Sequence, residues 1–192
     1  VLYLFFKTMI HFLIMVRADK SKSYGRGEQP VTCDALSVGI TKDSVYSLPT
    51  FDHPTFNRIY GKFSECLGRL KGDREKGRVI HGFCSKVYEK YDTGKIKKLG
   101  RSFNQIVGKY SKGIQSKKIA ESPRFVSLEV DFANYLKALL TGSDVLKTNS
   151  ERSDLTEQDL SPSVTAAANY RWCLREMKET LESLKKELKS LY

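Results

Sequence analysis

The stretch GKIKKLGRSFNQIVGKYSKGIQSKKI, residues 94–119, combines a helical apolar period with charge of a single sign. Eight basic residues and no acid lie in it. Its apolar residues recur at intervals of mostly three and four, the spacing that places side chains on one side of an α-helix. They are Ile96, Leu99, Phe103, Ile106, Val107, Tyr110 and Ile114. The stretch therefore predicts an amphipathic helix over 95–118, with its apolar side packed on a core.

Five bases cluster opposite these apolar residues at 100° per residue. We call this set the basic face: Lys97, Lys98, Arg101, Lys109 and Lys112. A solvated helix face commonly mixes signs, because i,i+4 pairs of opposite charge stabilise it by about 0.2–0.5 kcal/mol each. The plainer interpretation is a set of Lys and Arg on the wet side of a bundle helix. The lack of acids favours contact with an anionic partner instead.

The charge of the whole chain is concentrated around this helix. Lys and Arg number 33 against 22 Asp and Glu, a formal net charge of +11. Residues 86–118 hold ten bases and two acids, so they carry +8 of that excess. A basic surface attracts phospholipid head groups, nucleic acid or acidic proteins. Nucleic acid is the less favoured partner, because Phe103 and Tyr110 lie on the apolar side rather than among the bases, where they could stack on nucleotides.

Four further helices are predicted from apolar period and capping residues. They cover 54–71, 74–91, 123–141 and 162–192. Asp52 and Asp73 are expected to cap the first two helices, and Ser122 and Ser161, each followed by proline, the last two. Gly142 is expected to end the helix over 123–141. Since the first four helices are joined by short connections, the fold class is all-α, an up-down antiparallel bundle of about five helices with an irregular N-terminal segment.

The domain organisation expected from these patterns has five parts. They are an apolar signal-like or tether segment at 1–18, an irregular segment at 19–52, a four-helix core at 53–142, a polar linker at 143–161, and a C-terminal helix at 162–192 that packs on the core or on a partner. If residues 1–18 are a cleaved signal the protein is extracellular; otherwise the cytoplasmic membrane periphery is expected.

The last predicted helix carries a strict heptad pattern after Tyr170. Its seam residues are Leu174, Met177, Leu181, Leu184, Leu188 and Leu191. A 3.5-residue repeat is typical of a coiled-coil seam. Two interpretations stay open at this point: the seam packs on the protein's own bundle, or it joins two copies in a homodimer.

No constellation of residues indicates catalysis, so a non-enzymatic protein without cofactor or metal is predicted. His81 and Cys84 have a metal-ligand spacing, but zinc needs four ligands and no second pair is near. Four cysteines would allow two disulfides: Cys33, Cys66, Cys84 and Cys173. A bridge between Cys66 and Cys84 is not expected, because an antiparallel pair of helices would separate them by about 7 Å along the axis.

Two functions follow as hypotheses. The first is a helical interaction protein that docks its basic face on an anionic surface, with phospholipid head groups favoured. The alternative is a secreted helical-bundle ligand or effector that binds a protein receptor, which the signal-like start and the even number of cysteines favour.

Overall fold

The computed structural model of the chain describes residues 48–110, 119 and 122–191. This described part contains no strand and comprises five α-helices with one 3-10 helix. In chain order they are α1 (His53–Gly68), α2 (Asp73–Glu89), α3 (Thr93–Lys109), α4 (Pro123–Glu151), the 3-10 helix (Glu157–Asp159) and α5 (Leu160–Leu191). The predicted all-α fold is confirmed. The predictions for 1–18, for Cys33 and for most of 19–52 fall outside the described residues.

The two longest helices, α4 and α5, form an antiparallel hairpin at the centre of the fold. They contain 29 and 32 residues, so each is about 45 Å long at 1.5 Å per residue. Ser122 at the start of α4 donates from Oγ to Glu187 Oε1 near the end of α5, at 3.0 Å. At the other end, Asn149 Nδ2 donates to Ser163 Oγ at 2.9 Å. The helices thus pair along nearly their whole length, and their contact is the most extensive one among the described helices.

The predicted polar linker at 143–161 is wrong, because α4 continues past Gly142 to Glu151. Gly142 does not end the helix; it allows close packing instead. A Cβ at this position would lie 2.9 Å from Tyr91 Oη and 3.1 Å from Ala166 Cβ. The residues that follow include the buried Leu146, so the second half of α4 belongs to the core.

The start of α5 also differs from the expectation. The predicted cap at Ser161 is not used, since the helix already begins at Leu160 and follows the 3-10 helix directly. Asp159 caps the preceding turn, where its Oδ2 accepts from the Thr156 N–H at 2.8 Å and from Thr156 Oγ1 at 3.1 Å. Arg152 Nη1 donates to the other oxygen, Asp159 Oδ1, at 2.9 Å. The turn between α4 and α5 is therefore a tight, hydrogen-bonded connection rather than a linker.

Helices α2 and α3 follow one another along the same side of α4. His81 in α2 lies next to Ser150 of α4, with 3.0 Å between Nε2 and the backbone oxygen. Phe103 in α3 stacks on Phe132 of α4 at 4.4 Å between ring centroids. At the junction between them, Tyr91 donates to the Leu139 oxygen of α4 at 3.0 Å. As the chain advances from 81 through 91 to 103, its contacts on α4 retreat from 150 through 139 to 132, so both helices run opposite to α4. The expectation that α2 and α3 lie antiparallel is wrong: both apolar faces pack on the hairpin, and the short connection bends the chain without reversing it.

Helix α1 packs mainly on a different side of α5. The backbone before it is held by Asn169, whose Oδ1 accepts from the Phe51 N–H at 2.8 Å and whose Nδ2 donates to the Pro49 oxygen at 2.7 Å. The Phe51 ring stacks on Trp172 at 5.3 Å. Asn169 and Trp172 are turned away from Ser163 and Tyr170, the residues of α5 that contact the α2 side, because each residue rotates the helix by about 100°.

The predicted caps of α1 and α2 have different outcomes. Asp52 caps α1 as expected, since its side chain accepts from the Thr55 N–H at 3.1 Å. Asp73 does not cap α2; it is the first residue of the helix, and Gly72 occupies the cap position without a side-chain bond. In the first turn the carboxylate still interacts favourably with the positive end of the helix dipole.

The heptad residues of α5 pack inside the single chain. Four of the six predicted seam residues are buried, while Leu174 and Leu191 are half-buried; the buried four are Met177, Leu181, Leu184 and Leu188. A second copy could not reach these four side chains without opening the bundle. Of the two interpretations, this burial favours packing of the seam on the protein's own bundle, in which α5 contacts α4 most extensively among the described helices.

Candidate basic docking surface

The basic face belongs mostly to α3, which is shorter than predicted. Asp92 caps the helix, accepting from the Lys95 N–H at 2.9 Å through Oδ1. The helix ends at Lys109, and Tyr110 takes the C-cap position. The prediction that this helix continues to residue 118 is therefore wrong, because the helix ends at Lys109. Gly108 in the last turn weakens the helix by about 1 kcal/mol relative to alanine, which favours termination there.

The two sides of α3 are clearly separated by burial. Ile96 and Phe103 are 0% and 1% exposed and Leu99, Ile106 and Val107 are half-buried, so the apolar side packs against the hairpin. Four residues of the basic face are exposed on the other side: Lys97, Lys98, Arg101 and Lys109. The fifth, Lys112, lies outside the described residues.

The positive charge of this surface is not neutralised by any described carboxylate. Within the described ranges, no salt bridge involves the four exposed bases of the basic face. Helix α3 contains no acid, and its one ion pair with another described residue joins Lys95 Nζ to Asp92 Oδ2 at 3.4 Å. Lys109 Nζ lies 5.7 Å from the centroid of the Tyr110 ring, a distance at which a cation interacts with the aromatic face.

The exposed side of α5 provides a contrast. There Arg175 pairs with Glu176 at 3.0 Å and with Glu179 at 3.9 Å. Lys185 pairs with Glu182, and this contact lowers the pKa of the Glu182 carboxyl. Helix α5 therefore has the mixed signs of an ordinary solvated surface, whereas α3 does not.

The orientation of α3 is determined where it meets α2. Tyr91 is buried there, and its hydroxyl donates to the Leu139 oxygen of α4 at 3.0 Å. Burial raises the pKa of the Tyr91 phenol far above its usual value, so it stays neutral and able to donate. The next residue, Asp92, donates its N–H to Tyr170 Oη of α5 at 2.8 Å. Both hairpin helices thus hold the start of α3, which keeps its basic face outward.

A buried polar cluster lies between α2 and the hairpin, and its groups bind one another. Ser163 Oγ accepts from Cys84 Sγ at 3.3 Å and from Asn149 Nδ2 at 2.9 Å, and it donates to the Asp159 oxygen at 2.7 Å. Burial raises the pKa of the Cys84 thiol, which opposes formation of a nucleophilic thiolate. We interpret the cluster as a packing contact that holds the helices together.

The candidate metal pair is likewise engaged in packing contacts. His81 contacts the Ser150 backbone oxygen and Cys84 contacts Ser163. Among the residues that the structure describes, no group of three or more His, Cys, Asp or Glu side chains is arranged to hold a metal ion. Cys66, Cys84 and Cys173 are free, the first exposed and the other two buried.

Comparisons with known proteins give no family assignment. No protein-family model matches the chain, and neither the curated proteins nor the solved structures contain a match. None of the helices in the described ranges is both long and apolar enough to cross a membrane. The surface chemistry of α3 is therefore the basis for a functional proposal.

Proposed function

We propose that the protein docks on anionic phospholipid head groups through the basic face of α3 and acts without catalysing a reaction. The observation that carries the proposal is the set of four exposed bases, none of them in a salt bridge with a described carboxylate. Lys112, the fifth residue of the basic face, is included on its sequence position. The alternative of a secreted ligand stays a prediction, since it rests on the start of the chain and on Cys33, outside the described residues.

The size of the electrostatic attraction suits reversible docking. Each Lys or Arg brought to an anionic bilayer contributes about 1 kcal/mol, so five contribute about 5 kcal/mol before the entropy lost on binding. This is comparable with a single lipid anchor, which gives only reversible attachment. The protein would therefore exchange between the membrane surface and solution.

The packing of α3 favours docking on head groups over insertion among acyl chains. An interfacial amphipathic helix buries its own apolar side in the bilayer. In α3 that side packs on the hairpin, where Ile96 and Phe103 are buried. Binding should consequently depend on charge alone, and it should weaken as salt screens the surface over a Debye length of about 10 Å at 0.1 M.

Liposome co-sedimentation across a salt series tests this proposal. The full chain should bind vesicles that contain phosphatidylserine and fail to bind pure phosphatidylcholine, with a steep loss between ~50 and ~300 mM salt. Changing Lys97, Lys98, Arg101 and Lys109 to Gln should abolish binding. Binding that is insensitive to salt, or equal binding to neutral vesicles, would overturn the proposal.

A charge-matched control variant separates a local surface from net charge. It changes four exposed bases of α5 to Gln, again one arginine and three lysines: Arg171, Lys178, Lys186 and Lys189. This variant should keep most of its vesicle binding. If both variants lose binding equally, the charge of the whole protein is responsible and the basic face is not a site. Duplex DNA and single-stranded RNA serve as competitors. If the protein binds either of them more tightly than the vesicles, nucleic acid and not the membrane is its partner.

A further inference from the structure

Helix α2 also presents bases to solvent. Arg78, Lys86 and Lys90 are exposed, and no salt bridge in the described part of the chain involves them. At 100° per residue Arg78 and Lys86 lie about 140° around α2 from its buried residues Ile80 and Cys84, and Lys90, at the C-cap, lies about 100° from them. Lys86 and Lys90 contribute to the charge excess of residues 86–118. The sequence alone does not show how the helix that carries them lies relative to α3.

The end-to-end arrangement of α2 and α3 turns their exposed sides in the same direction. Both helices pack on the hairpin through the same side of α4, α2 beside Ser150 and α3 beside Phe132. Tyr91 and Asp92 at the junction contact α4 and α5 respectively, so the chain does not cross to another side between the two helices. The surfaces that face away from the hairpin therefore adjoin.

We infer that the docking surface continues from α3 onto α2, where Arg78, Lys86 and Lys90 contact the same anionic phospholipid bilayer. This inference rests on the proposed function and extends it. Each of the two helices has 17 residues and is about 25 Å long at 1.5 Å per residue. Because the Debye length is only about 8 Å at physiological salt, the bases at each end interact with different head groups. A bilayer presents head groups over an area wide enough to meet the bases of both helices, unlike a small anion.

Two acids of α2, Glu75 and Glu89, lie on the same exposed side, and the second provides a sharper test. Glu89 is exposed between Lys86 and Lys90, and within the described ranges it has no salt bridge. A carboxylate facing an anionic bilayer is repelled, so removing its charge should strengthen binding. On a surface that does not approach the bilayer, the same change would have little effect.

Two sets of variants test the inference on phosphatidylserine vesicles at ~100 mM salt. Arg78→Gln, Lys86→Gln and Lys90→Gln together should weaken binding between about 10- and 100-fold, since each lost contact is worth up to about fivefold. The control changes Arg171, Lys178 and Lys186 of α5 to Gln and should leave the affinity within about twofold. Circular dichroism verifies that each variant keeps its helix content.

The second set tests the sign of the effect. Glu89→Gln should raise the affinity about three- to fivefold, whereas Glu179→Gln on α5 should not change it. If the wild type binds and the α3 variant does not, but neither the α2 bases nor Glu89 affect the affinity, this inference is overturned and the proposed function stands. If the wild type does not bind anionic vesicles at all, the proposed function itself is overturned.

Discussion

Tyr170 in α5 accepts a hydrogen bond at its hydroxyl from the backbone N–H of Asp92, at 2.8 Å. Asp92 in turn caps α3 through its side chain, which accepts from the Lys95 N–H. A residue near the middle of the hairpin thereby holds the residue that starts the basic helix. The ring of Tyr170 also packs on Tyr91, with 4.3 Å between centroids. The junction of α2 and α3 is therefore a tertiary contact as much as a local one.

Replacing Tyr170 with phenylalanine tests this contact, because it keeps the ring and removes the acceptor. We expect the free energy of unfolding to fall by about 0.5–1.5 kcal/mol, the net value of one hydrogen bond, in urea denaturation. Tyr88→Phe is the matched control: Tyr88 is half-buried on α2, and it should change stability by less. Equal stability of Tyr170→Phe and wild type would show that water replaces the hydroxyl without loss.

Two glycines of α2 should respond oppositely to the same substitution. A Cβ at Gly77 would lie 2.7 Å from the backbone oxygen of Leu155, whereas a Cβ at Gly82 meets no atom within 4 Å. We expect Gly77→Ala to destabilise the protein by about 1–3 kcal/mol through overpacking. Gly82→Ala should stabilise it by up to about 1 kcal/mol, because alanine is the better helix former. Thermal melts of both variants make the comparison, and stabilisation by Gly77→Ala would contradict the close approach.

The buried cluster around Ser163 should be sensitive to loss of its hydroxyl. Ser163→Ala leaves Asn149 Nδ2 and the Cys84 thiol without their acceptor in the core. Leaving a buried donor unsatisfied costs about 1–3 kcal/mol, and we expect a loss of that size in urea denaturation. Ser161→Ala, at an exposed position two residues earlier, should be close to neutral. Equal effects of the two changes would mean that the cluster is not stabilising.

Glu129 in α4 should make stability depend on pH. Burial raises the pKa of its carboxyl to about 7 in the folded protein, against about 4.3 in an unfolded chain. The folded state therefore holds the proton more tightly, so this group lowers stability as the pH rises from about 4.3 to about 7, and its cost persists above that range.

The variant Glu129→Gln removes the charge and should be more stable than wild type at pH 8, by about 1–3 kcal/mol, and similar to it at pH 4. Urea denaturation at both values checks this, with Glu179→Gln as an exposed control. A stability gain that is the same at both values would show that Glu129 does not titrate in this range.

The local sequence pattern was sufficient to predict several core residues and helix caps. The period of Ile96 and Phe103 places both residues in the core, as predicted. Asp52 and Ser122 cap α1 and α4 at the predicted positions, since a short oxygen-bearing side chain satisfies the free N–H groups of the first turn wherever the neighbouring sequence is helical. These features depend on residues within about one turn of one another.

The sequence-based predictions are wrong where contacts with residues far along the chain override a local sequence pattern. Gly142 resembles a helix stop, yet its missing side chain admits Ala166 and Tyr91, and their packing keeps the helix intact. The polar residues after it resemble a linker, although Asn149 and Asp159 bind Ser163 and Arg152 in the turn between α4 and α5. Polarity alone does not distinguish a solvated residue from a buried one with partners.

Periodicity within single segments established that the chain is helical and that the bases of α3 oppose its apolar side. Only the tertiary contacts decided that α2 and α3 lie end to end and that four heptad residues of α5 are buried within its own bundle. The physical reason is range: hydrogen-bonding period and capping act within a few residues. The direction that a helix face takes depends instead on which apolar surface, far along the chain, it covers.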